Sequence, residues 1–247
     1  MGSQLPDPRA ACATYDRHSM TRTSKPTMRE AWDEIERLLS ELKAFNAARP
    51  VLPHWYEDLL NNLVGEVGFH LVRMTQAHKE RQLTVLAYNA RGLLELYVWT
   101  KYCVKSEQNA RRFREDMFRD LRGIHEALKN LSTIFPKRPD ASIPPAKLKH
   151  LDALIKQKAS ELGMSAADAN YKRVVTAAEE LGIKALFVNS NALLSKVAHP
   201  TALTVLTFPQ AQGLDAMCEG AAKMGLYFAG SSIACISQFI RGLGVTR

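Results

Sequence analysis

After Thr27 the apolar residues recur at intervals of three and four along nearly the whole chain, and only one run, TALTVLTF at 201–208, is rich in β-formers. A single short strand has no partner with which to build a sheet. The chain is therefore expected to be all-α, a single multi-helix bundle of about seven or eight helices. Its domain would cover 28–247, behind a flexible, disordered leader at 1–27.

Sequence punctuation places the helices. Thr27 can cap a first helix in which Glu30 has capping-box spacing and Trp32, Ile35, Leu38, Leu39 and Leu42 share one face. Pro50 and Pro53 interrupt the pattern. Further helices are predicted over 55–78 and 82–104, the latter apolar on nearly every side and so expected at the centre of the bundle. Ser106 is a plausible cap for a helix over 109–131, and a proline-rich break (FPKRPDASIPP) follows it. Helices over 146–162, 165–181, 184–199 and 214–242 complete the set.

Composition narrows the class. A hydrophobic fraction of 46% and a charged fraction of 23% are ordinary for a globular protein and exclude a disordered or fibrous chain. Cys12, Cys103, Cys218 and Cys235 are widely spaced without a C-x-x-C, which suggests neither a disulfide framework nor a zinc site and points to the reducing cytoplasm. The stretch 225–240 is the most membrane-like, but it is shorter than the ~20 residues of a span and lies between Lys223 and Arg241. A buried helix is the expectation. Ala221, Gly225 and Ala229, four apart, would let another helix approach closely, within the chain or in a homodimer.

The net charge of +8 is uneven: residues 101–158 hold 14 Lys and Arg against 7 Asp and Glu. Arg111, Arg112 and Arg114, with Lys147 and Lys149 in the next helix, are candidates for binding RNA or another phosphate-bearing partner. The alternative is a solvated helix face, because Glu107, Glu115, Asp116, Asp120 and Glu126 are interleaved at pairing distance.

Two stretches break the rule that a buried helix is apolar. In NARGLLELYVWTKYCV, Arg91 and Glu95 are four apart on a side of the helix shared with Ala87, Leu94, Val98 and Tyr102. Burying such charges costs several kcal/mol each unless they are paired. The pair is either a register-fixing ion pair or an anion-binding guanidinium held by Glu95. In NSNALLSKVAHPTA, Asn191, Ser195 and His199 recur every four residues, and Pro200 ends the helix at His199. There the helix dipole favours an imidazolium, suited to acid–base work or to a switch, or simply to bonding the last carbonyls. Arg91, Glu95 and His199 are thus the candidate catalytic residues of an interior polar cluster, with Tyr102, Asn191 and Ser195 as binding residues. Glu66 and His70, one turn apart, form a weaker metal-ligand pair, and without paired Glu-x-x-His motifs no metal site is assigned. No Walker A loop, Rossmann glycine pattern or G-x-S-x-G is present, and no cofactor is implied.

The stretches ARGLLELYVWTKYCV, NARRF with Asp116, and LLSKVAHPTA resemble a mostly bacterial all-α family classed as a domain of unknown function. The resemblance spans about 55–210 and rests on an Arg-x-x-x-Glu helix and a Ser-x-x-x-His-Pro element; it implies the fold but no reaction. A more distant likeness is to HEPN-type bundles, many of them metal-independent RNases of toxin–antitoxin or phage-defence systems. LSKVAH aligns His199 with their histidine, but Leu194 stands where their arginine belongs, so Arg91 would have to supply the cation from another helix. Arg73 to His78 and Arg119 to His125 fit the spacing only nominally, with Met74 and Asp120 in the polar position. Three functions follow: a cytoplasmic binding or regulatory module, a HEPN-like ribonuclease, or nucleic-acid binding through 101–158.

Overall fold

The computed structural model describes residues 52–134, 144–161, 173–199 and 213–242, together with positions 33, 37 and 40. The described residues hold seven helices and no strand: α1 (His54–Lys79), α2 (Leu83–Lys105), α3 (Glu107–Ile134), α4 (Pro145–Glu161), α5 (Val174–Glu180), α6 (Lys184–Ala198) and α7 (Leu214–Gly242). The all-α expectation holds. Asp33, Arg37 and Ser40 are helical, within the first helix expected from sequence. The rest of that helix, the leader and the β-rich run at 201–208 lie outside the described residues. The described residues group into two compact units. One contains α1, α2, the start of α3 through Ala110, and α5–α7; the other contains the remainder of α3 with α4.

In the first unit α2 is central and packs against α1, α5, α6 and α7. Leu86, Ala87, Ala90, Leu93, Leu94, Val98 and Cys103 are wholly buried there, as an all-round apolar helix requires. Each fully buried leucine contributes roughly 1.5–3 kcal/mol relative to exposure. α1 lies antiparallel to α2: the Tyr56 hydroxyl donates to the Cys103 carbonyl (2.7 Å) at one end, and His70 meets Asn89 (3.1 Å) near the middle. α7 completes the layer. A Cβ built on Gly225 would come within 2.2 Å of Met74 Sδ on α1 and 3.3 Å of Ala90 Cβ on α2. The small-residue spacing on α7 thus serves close approach inside this unit. Among the described residues no helix is long and apolar enough to cross a membrane.

The turns follow local rules. Ser106 ends α2 and caps α3, its Oγ accepting from Asn109 N–H (3.1 Å). α5 closes on Gly182 at φ 72°, with Ile183 N–H bonding to Ala178 O and Gly182 N–H to Glu179 O. The α1–α2 turn repeats that pair of bonds, from Gln82 to Ala77 and from Arg81 to His78, but places Arg81 at φ 56° where glycine is the easy choice. The Arg81 side chain pairs with Asp215 on α7.

Candidate functional site

Two elements bring the candidate residues together. Lys105 at the end of α2 donates to the Glu180 carbonyl (3.1 Å), and α6 then runs back along α2 until it stops at Ala198. His199, the first residue past α6, is extended (φ −106°, ψ 150°), and its N–H still bonds to Ser195 O. Pro200 accounts for that ending, because the residue before proline is pushed out of the α region. The geometry delivers the imidazole to the middle of α2. Arg91 Nη1 lies 3.1 Å from His199 Nε2, a contact between residues 108 positions apart.

A guanidinium has only donors, so Nε2 must accept this hydrogen bond. On the other side, Arg91 Nε is 3.2 Å from Glu95 Oε1. That nitrogen is buried and makes no hydrogen bond, so the Glu95 contact is Coulombic rather than directed.

The cluster is not interior. The Arg91 and Glu95 side chains keep 30% and 36% of their exposure, and His199 is exposed. α2 presents its Thr84, Val85 and Tyr88 side to solvent, and α6 ends before it can cover Arg91, so the pair sits on the rim of the bundle. The other candidates divide. Asn191 and Ser195 share the α6 stripe leading to His199 and are half-buried, with Ser195 Oγ 3.5 Å from Asn191 Oδ1, a weak hydrogen bond. Tyr102 does not belong to the cluster. It is 1% exposed, packs edge-on to Trp99 at 5.9 Å, and lies three turns, or about 16 Å, along α2 from Arg91. The shared helix side suggested by its spacing is undone by that axial distance.

His70 has a different occupation from the one its spacing suggested. Its Nδ1 faces Asn89 Oδ1, an acceptor, and its ring fills the space a Cβ on Gly92 would take, 2.5 Å away at the nearest atom. Glu66 is exposed. Among the described residues no three His, Cys, Asp or Glu side chains gather as metal ligands.

In the second unit, Arg111, Arg112, Lys147 and Lys149 are exposed and Arg114 is half-buried. Other cations of this unit pair with acidic neighbours. Arg119 pairs with Asp116 and Glu115, Lys156 with Asp152 (2.7 Å), and Lys158 with Glu161 (2.6 Å). Hydrogen bonds from Lys156 and Lys158 hold the Asp152 and Glu161 carboxyls below the usual carboxylate range.

Sequence reading passed over one polar group. Lys101, 8% exposed, places Nζ 3.3 Å from the Tyr97 hydroxyl, and Tyr97 packs on Phe228 and Tyr227 of α7. Burial pushes the Tyr97 phenol up to about 12, with Lys101 opposing the shift. The available signal was a lysine one turn beyond Tyr97 in a helix that is apolar on nearly every side. The fold and site together define a helical bundle with a half-exposed Arg–Glu–His cluster on its rim. Comparison with known proteins finds no matching family model, no matching curated protein and no matching solved structure.

Proposed function

We propose that the chain is a binding module that takes a phosphate-bearing ligand on Arg91 and His199, with Glu95 restraining the guanidinium. The observation that carries this reading is the 3.1 Å contact between Arg91 and His199 at a solvent-reachable rim. One Arg91 N–H is spent on His199, and the remaining Nη donors form the planar fork that suits a phosphate. A cytoplasmic setting suits the buried cysteines Cys103, Cys218 and Cys235, which form no disulfide. The test is calorimetric titration with inorganic phosphate. Arg91→Ala should abolish binding and Arg91→Lys should weaken it; undiminished binding by Arg91→Ala ends this reading.

A second reading, HEPN-like metal-independent RNA cleavage, is favoured by the same contact, because α2 brings a cation to a histidine whose own helix carries Leu194 at the arginine position. With Arg91 turned from His199 Nε2 to the phosphorane, that nitrogen would take the 2′-hydroxyl proton as the 2′-oxygen attacks phosphorus, and the 5′-oxygen would leave as a hydroxyl protonated by solvent. Cleavage in chelator that survives His199→Ala would discard it.

A further inference from the structure

An exposed tyrosine stands one turn from the proposed phosphate site. Tyr88 is 58% exposed on the solvent side of α2, three residues before Arg91. Side chains at that spacing share a helix face with Cβ atoms about 5–6 Å apart. The other described tyrosines each meet a neighbouring ring: Tyr56 meets Trp55 and Phe239, Tyr97 meets Tyr227 and Phe228, and Tyr102 meets Trp99. Among the described residues Tyr88 has no such ring contact, so it offers an open aromatic face beside two phosphate-binding groups.

Scattered surface apolar residues are ordinary and by themselves indicate nothing. Position distinguishes this one. A ribose separates base from phosphate by about the distance that one helical turn separates Tyr88 from Arg91. Base–aromatic stacking tolerates any base, because every base has a π-face, and guanidinium with imidazole takes the phosphate. We infer that the ligand of this site is a nucleotide, its phosphate on Arg91 and His199 and its base stacked on Tyr88. This inference rests on the phosphate-binding reading above and adds the class of ligand. The same chemistry is presented by a free nucleotide and by one residue of single-stranded RNA.

The experiment is calorimetric titration of the full chain with inorganic phosphate, ribose 5-phosphate, AMP and a short oligoadenylate. AMP should bind at least tenfold more tightly than ribose 5-phosphate. Tyr88→Ala should reduce that ratio to near one, and Tyr88→Phe should restore it, a pattern that a merely structural tyrosine would not produce. Oligoadenylate binding more tightly than AMP identifies single-stranded RNA as the source, and equal binding identifies the free nucleotide; both support the stacked base. Equal affinity of the wild type for AMP and ribose 5-phosphate, or a ratio retained in Tyr88→Ala, overturns the nucleotide inference and leaves the phosphate site standing. Failure of the wild type to bind any of the four removes the phosphate site and the nucleotide inference together.

Discussion

Two polar groups on α2, ten residues apart, have opposite fates. Arg91 stands on the rim, half-exposed, shared between Glu95 of its own helix and His199 from α6. Lys101 is 8% exposed, and its ammonium is turned to the Tyr97 hydroxyl beneath the aromatic rings of α7. Both are cations in apolar sequence, and composition alone would treat them alike. The rim cation keeps donors for a ligand, whereas the core cation is surrounded by packing. A charge serves recognition where a covering helix stops short of it, and α6 stops at Ala198.

This contrast can be broken at several points. The largest expected effect lies in the core: Tyr97→Ala should lower urea-measured stability by about 3–5 kcal/mol, the range for deleting a buried aromatic ring. Arg91→Ala, on the rim, should change stability by less than about 1 kcal/mol. Equal losses would erase the distinction between rim and core.

Next comes alkaline stability. The folded phenol of Tyr97 is raised to about 12 from the ordinary 10, so the native state holds its proton more tightly than the unfolded chain. That stabilisation is complete below pH 10 and is lost as pH rises towards 12, on the order of 2–3 kcal/mol. Tyr97→Phe should flatten this part of the stability–pH curve, measured by denaturation at successive pH values. No change in slope would mean that the hydroxyl is less enclosed than described.

Gly225→Ala should cost about 1–3 kcal/mol, because the added methyl meets Met74 and Ala90 in the α1–α2–α7 contact. Thermal melts of this variant, beside Gly92→Ala, compare the core again with the rim. At Gly92 the obstruction is the His70 ring, which is only half-buried and can swing outward, so the loss should be smaller. The smallest change is expected for Arg81→Gly. Relief of the left-handed backbone and loss of the exposed pair with Asp215 nearly cancel, leaving a net effect below about 1 kcal/mol.

Much of the architecture was legible because it depends on near neighbours in the chain. The burial of α2 on most sides followed from its apolar residues, and the caps at Ser106 and His199 from side-chain and proline chemistry. The Arg91 site was legible in part. Four-residue recurrence marked both stripes, but it also drew in Tyr102, since a shared helix side says nothing of distance along the axis. The same recurrence missed Lys101, whose neighbours one turn back, Tyr97 and Val98, carry no charge to pair with it. The place of His70 could not be read from its own helix, because nothing there announces Asn89 or the gap at Gly92.

Local forces, acting over three or four residues, decided where helices begin, where they end and which faces are greasy. Those forces can be read along one dimension. The approach of Arg91 to His199, the depth at which each sits and the empty face of Tyr88 depend on how far α6 extends over α2. That is an outcome of whole-helix packing, in which many small contacts compete and no single stretch of residues carries the answer.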